Sequence, residues 1–285
     1  MINYNDYIEE AIHLFQNDEQ LKNNKTAIAD FLIEKYKLDS SIETFRRGLS
    51  SRMSGKKKKK ETRVLIIGDT HCPFDLDTYI DFLEDTYKKY RCNKVVHIGD
   101  ELDHHYSSYH ETDADGMGGG EELYFAKKRL ARYYNIFPDV DVIIGNHSRL
   151  IMRKAQTGGI PREWIRDYNE VLGVPTWRFH TEMEIDGVLY AHGEGGTARG
   201  KCKNDLQSVV QGHLHTQSYV EYVVGRKNRV FGMQVGCGIN HDEYAFGYAK
   251  AGKKPAISCG VVIDGKEAII VPMLIEDYKE GSRYK

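Results

Sequence analysis

Three short apolar runs, residues 64–67, 95–98 and 140–144, constrain this chain more than any other feature. Each ends in a glycine and a polar island: Gly68-Asp69-Thr70-His71, Gly99-Asp100-Glu101-Leu102-Asp103 and Gly145-Asn146-His147. A short run that is apolar at nearly every position, and mostly β-branched, buries both of its faces, as strands of a helix-covered parallel sheet do. The loops that leave the carboxyl ends of such strands converge on one rim. Two later islands, His192-Gly193 and Gly212-His213-Leu214-His215, extend the series. Together they offer carboxylates, imidazoles and an amide, the donors that borderline divalent metals take.

The order GDxH, GDxxD, GNH, H, GHxH resembles the calcineurin-like metallophosphoesterase superfamily from about residue 64 to the end of the chain. The resemblance implies a four-layer α/β-β-α sandwich of two mixed sheets with a two-metal site between them, hydrolysing phosphate esters. It implies that Asp69, His71 and His215 hold one metal, that Asn146, His192 and His213 hold the other, and that Asp100 bridges both. His147 is then the acid/base residue, oriented by Asp103. The metals would be divalent, drawn from manganese, iron, zinc or nickel, all of which accept these donors.

Elementary chemistry asks for the same residue types. Two neighbouring cations repel each other, and a shared carboxylate offsets that repulsion. A departing alkoxide needs a proton, and histidine changes charge near neutral pH. Two departures from the family pattern stand out. Ser148 follows His147 where many members carry an acid, and His104 and His105 follow Asp103 where the protein phosphatases carry an arginine. A phosphate-gripping group must then come from elsewhere, with His104, His110, Arg149 and Arg153 as candidates. The stretch 104–120, rich in tyrosine, histidine and then glycine, is expected to be a binding loop rooted beside Asp103.

The first fifty residues read differently. Ile8, Ala11, Ile12 and Phe15 repeat at helical spacing after Asp6 as a cap, and Ile28, Phe31, Leu32 and Tyr36 repeat after Asn23-Asn24. A third helix would carry Phe45 and Leu49, with Ser40 and Glu43 as its capping box. This trio weakly resembles a helix-turn-helix module. From Arg46 to Lys60 there are eight cations and no acid, ending in five lysines. Arg46, Arg47, Arg52, Lys56, Lys57 and Lys58 are therefore candidate phosphate contacts, which makes nucleic acid the expected partner. The division expected is a helical module at 1–54, a lysine-rich linker at 55–61 and the metallophosphoesterase-like domain at 62–285.

Helical patterns at 76–90 and 121–137 separate the first three strands. Asp186-Gly187, residues 225–228 and Asp264-Gly265 mark hairpins of a second sheet. Five cysteines without close pairing favour a reducing compartment, and no run of 18 apolar residues spans a membrane, so an intracellular, cytoplasmic protein is expected. Three functions remain open: a phosphodiesterase or nuclease acting on nucleic acid or nucleotides, a phosphomonoesterase of a small metabolite or nucleotide, and a DNA-binding regulator with a structural metal site.

Overall fold

A computed structural model describes residues 2–53, 61–109, 112–243 and 254–274. The chain divides into two compact units, Met1–Lys60 and Glu61–Lys285. Among the described residues no helix is long and apolar enough to cross a membrane.

The first unit is three helices, α1 (Ile8–Asn17), α2 (Lys25–Tyr36) and α3 (Ile42–Met53). Their core is Ala11, Leu14, Ile28, Ala29, Leu32, Phe45 and Leu49, spaced so that each helix turns one stripe inward. The Asn24 side chain caps α2 by accepting from the Ala27 N–H at 3.1 Å. Three expectations need correction. Asp6 does not cap α1; it lies in a 3-10 turn and accepts from Asn3 Nδ2 at 2.9 Å. Ser41, not Ser40, accepts from the Thr44 N–H at the start of α3, because the helix begins one residue later than the box requires. Phe31 and Tyr36 remain about two-fifths exposed, at 40% and 43%. The inward stripe of α2 runs through positions 28, 29 and 32, which leaves both rings on its margin. There Lys35 lies over them, and Lys35 and the Tyr36 hydroxyl both hold Glu10 at 2.6 Å.

The second unit holds two mixed sheets. β1 (Arg63–Ile67), β2 (Lys94–His97), β3 (Asp141–Ile143) and β4 (Arg178–His180) run parallel in the first. In the second, β6 (Val188–Ala191), β7 (Ser208–Gln211) and β9 (Arg229–Gln234) run parallel between antiparallel edges β5 (Glu182–Ile185) and β8 (Tyr219–Val224). Alternation along β1 builds both sides of the first sheet. Leu65 and Ile67 pack with Leu83 of α4 (Tyr79–Tyr90) and Leu130 of α5 (Gly119–Ile136). Val64 and Ile66 pack between the sheets with Tyr190, Val210 and Met233. Each such side chain contributes about 1.5–3 kcal/mol by leaving water. The fourth layer is α8 (Ala198–Asp205), against β7 and β9. The chain thus forms the expected four layers, with a helical N-terminal unit besides.

The turns Asp186-Gly187 and Asp264-Gly265 both have positive φ at their two central residues, the geometry that matches hairpin twist. The third hairpin, however, joins the first sheet: β10 (Ser258–Ile263) pairs antiparallel with β1, and β11 (Glu267–Pro272) with β10. Cys259, Val261 and Val262 are all buried, so β10 presents two apolar faces and takes an interior position in the sheet.

Candidate metal centre

All five islands meet at the carboxyl ends of β1, β2, β3, β6 and β7, where the two sheets face each other. Backbone strain concentrates there. His71, Asp100, His104 and His213 all adopt positive φ, between 48° and 69°, a conformation costly for residues with a Cβ and characteristic of functional sites. Two glycines allow the carboxylates their positions: a Cβ at Gly212 would stand 2.2 Å from Asp69 Oδ1, and one at Gly145 would stand 2.0 Å from Asp100 Oδ1.

The side chains form three overlapping groups that could hold a metal ion: Asp69, His71 and His215; His71, Asp100 and His147; and Asp100, His192 and His213. In the first, His71 Nε2 lies 3.1 Å from His215 Nε2, which lies 3.2 Å from Asp69 Oδ2. In the third, His192 Nε2 lies 3.0 Å from Asp100 Oδ2 and 2.9 Å from Asn146 Oδ1. Asp100 joins the groups. Its Oδ1 accepts from the His147 N–H at 2.8 Å, while its Oδ2 stands between His192 and, at 3.9 Å, His71.

Charge and hydrogen bonding show that these residues fit divalent ions. Asp69 and Asp100 are fully buried, which alone would raise them; the charges on His192 and its neighbours hold Asp69 below the usual carboxylate range and Asp100 well below it. Burial would likewise lower His192, yet Asp100 and Asp69 push it up to about 10. A pocket that raises an imidazole this far demands positive charge. The buried Asp69 Oδ1 also has no hydrogen-bond partner among the described residues, which leaves it free to coordinate. His71 and His213 are lowered by burial, then by His147 and His192 respectively, and so stay neutral donors.

His147 lies at the edge of this group. Burial opposes its protonation, but Asp100 and Asp103 raise it. The role expected of Asp103 needs correction. Its carboxylate bonds His71 Nδ1 at 2.6 Å, whereas His147 Nδ1 donates to its main-chain carbonyl at 2.6 Å, with the carboxylate 3.6 Å away. The carboxylate thus faces the first island and the carbonyl the third, so one residue orients both rings.

The sequence analysis missed a second support. Glu101 is fully buried; its Oε2 accepts from the Ser148 hydroxyl at 2.6 Å, and its Oε1 has no partner. The Ser148 hydroxyl also accepts from the Gly145 N–H at 3.3 Å, so Glu101 braces the GNH turn. Serine in that position, with a spare carboxylate between Asp100 and Asp103, was the available signal. Ser148→Ala is expected to take from Glu101 its side-chain partner and cost about 1–3 kcal/mol in chemical denaturation with chelator present.

The candidate phosphate-gripping groups separate. His104 is buried, is lowered by burial, and donates from Nδ1 to the His147 carbonyl at 2.8 Å, backing the GNH loop. Arg149 pairs with Glu194, two residues beyond His192. Arg153 lies 5.5 Å from the Tyr109 ring centroid. His110 lies outside the described residues. In the first unit, Arg46 and Arg47 both bond Glu43, at 2.8–2.9 Å. The Arg52 side chain and Lys56, Lys57 and Lys58 lie outside the described residues.

The root of the 104–120 stretch is pinned by Glu122, whose buried carboxylate faces the N–H groups of His105 at 3.2 Å and Tyr106 at 3.4 Å. Burial first, and then Asp103, push Glu122 up to about 7, against 4.5 for a free side chain. Between those values the folded state holds the proton that the unfolded state has lost, so stability falls as pH rises through the window. Glu122→Gln cannot ionise. Denaturation in chelator is expected to show it gaining about 2–3 kcal/mol on the parent chain between pH 4.5 and pH 8. Parallel stability curves for the two would rule this out.

No curated protein matches the chain. Among solved structures it is similar to an archaeal phosphodiesterase (17% identity, 74% of this chain and 100% of that one, TM-score 0.40). It is also similar to the phosphoesterase YfcE from E. coli (12%, 76% and 96%, TM-score 0.40) and to vacuolar protein sorting 29 from Cryptosporidium parvum (12%, 75% and 98%, TM-score 0.36). The family model for calcineurin-like phosphoesterases matches residues 62–195, the segment that carries the first four islands. Through that segment, this chain is similar to the calcineurin-like phosphoesterase family.

Proposed function

We propose that the chain is a metal-dependent phosphoesterase acting on phosphodiesters of nucleic acid or nucleotides. The observation that carries this reading is Asp100, buried between two sets of donors with its charge held, next to a His147 that Asp100 and Asp103 push upward. Asp69, His71 and His215 would hold one divalent ion and Asn146, His192 and His213 the other, with Asp100 shared. When bound, such ions activate water and neutralise phosphoryl oxygens. The chain's own residues do the rest. Asp103 fixes the His71 ring through its carboxylate and the His147 ring through its carbonyl. His147, its ring fixed at Nδ1 by the Asp103 carbonyl, would give a proton from Nε2 to the departing alkoxide.

Turnover of bis(p-nitrophenyl) phosphate and p-nitrophenyl phosphate with added manganese tests the reading, with the diester expected to be the better substrate. Monoester-only turnover would instead favour a phosphomonoesterase of a small metabolite. A metal-loaded chain that cleaves neither ester but binds duplex DNA would favour a regulatory protein with a structural metal site.

Nucleic acid as substrate draws support from the cationic run 46–60. Replacing Lys56, Lys57 and Lys58 with glutamine is expected to flatten the slope of log affinity for duplex DNA against log salt by about 2–3, because each phosphate contact releases roughly one counterion. An unchanged slope would remove this segment from the interface.

A further inference from the structure

A second recess opens in the stretch between the GNH island and β4, a cleft of about 910 Å³. That volume lies within the range of small-molecule sites, at roughly 300–1,000 Å³. Arg149 places it beside the metal centre. The side chain lines the cleft, while the guanidinium pairs with Glu194, two residues past His192. Ile144, immediately before Gly145-Asn146-His147, lines it too. A substrate with its phosphate among the five islands therefore has this cleft next to it.

The walls are specific in chemistry. Tyr168 and Phe179 stack with ring centroids 5.2 Å apart at 23°, and Met152 and Ile160 add apolar surface. The three arginines that line the cleft are each paired: Arg149 with Glu194, Arg162 with Asp167, and Arg178 with Asp139 and Asp141 at 2.6 and 2.8 Å. Compensated guanidinium planes and aromatic rings suit a flat, neutral, heteroaromatic group, and not a second anion. We infer that the cleft is a nucleoside subsite, holding the base and sugar of the nucleotide whose phosphate lies at the metal centre. This deepens the function proposed above and rests on it for the position of the phosphate.

Calorimetric titration of the full-length chain with manganese tests the inference, using adenosine monophosphate, ribose phosphate and phenyl phosphate. Adenosine monophosphate is expected to bind about tenfold or more tightly than either of the others. Met152→Trp fills the cleft, and Ile160→Trp does so from a position already 49% exposed, where folding is not at stake. Both are expected to bring adenosine monophosphate down to the level of ribose phosphate and to leave ribose phosphate itself unchanged. Equal binding of the three ligands by the parent chain would overturn the inference. So would phenyl phosphate matching adenosine monophosphate, or tryptophan variants that keep the advantage. Adenosine titrated in chelator separates the two proposals: its binding to the parent chain and loss in both variants upholds the cleft even where no ester is cleaved.

Discussion

Asp100→Asn is expected to lose bound manganese and to reduce diester hydrolysis by about a thousandfold or more, roughly 4 kcal/mol of transition-state stabilisation. The substitution is nearly isosteric, so packing is preserved, but two functions of the carboxylate disappear. An amide presents an N–H group either to His192 Nε2, where Oδ2 now lies at 3.0 Å, or to the His147 N–H, which Oδ1 accepts at 2.8 Å. The pocket also gives up one of the buried charges that make it attractive to cations. Because Asp100 stands in two of the three donor groups, its loss weakens both. Metal analysis after gel filtration and initial rates at saturating manganese check this. Normal metal content with normal turnover would remove Asp100 from the centre.

His147→Ala should behave differently, keeping its metal while slowing esters in proportion to the basicity of their leaving groups. General acid catalysis supplies about 10²–10⁴-fold where an alkoxide must depart, and little where p-nitrophenolate leaves unaided. The ring is well placed for this: held at Nδ1 by the Asp103 carbonyl, it is fixed in one tautomer with Nε2 available. Rates across a series of aryl and alkyl diesters give the leaving-group slope, expected to steepen in the variant. A uniform loss for all leaving groups would assign His147 to holding metal with His71 and Asp100, the other role its position permits.

Parts of this architecture are legible along the chain because they are local. The apolar runs at β1, β2 and β3, the Asn24 cap and the two Asp-Gly hairpins follow from short-range sterics and alternating burial. The islands are legible because a glycine and a polar cluster at a buried strand's end have few other uses. The third hairpin shows where local reading stops. Its turn at Asp264-Gly265 is plain, but its partner, β1, lies about two hundred residues away, and two-sided burial chose it. The segment 150–172, which lines the cleft, yielded no expectation beyond Arg153 as a candidate phosphate-gripping group.

The order and chemistry of the residues therefore announced which groups would gather and that cations would suit them, because donor type and strand-end position are properties of a few neighbouring residues. Which atom serves which partner was settled by folding. The Asp103 carboxylate points in the direction of His71 and its carbonyl in that of His147, and Glu101 reaches across to Ser148, in a turn whose backbone is left-handed at Asp100 and again at His104. No pattern of residue types carries that direction, since it arises where two strands and two loops are packed at once.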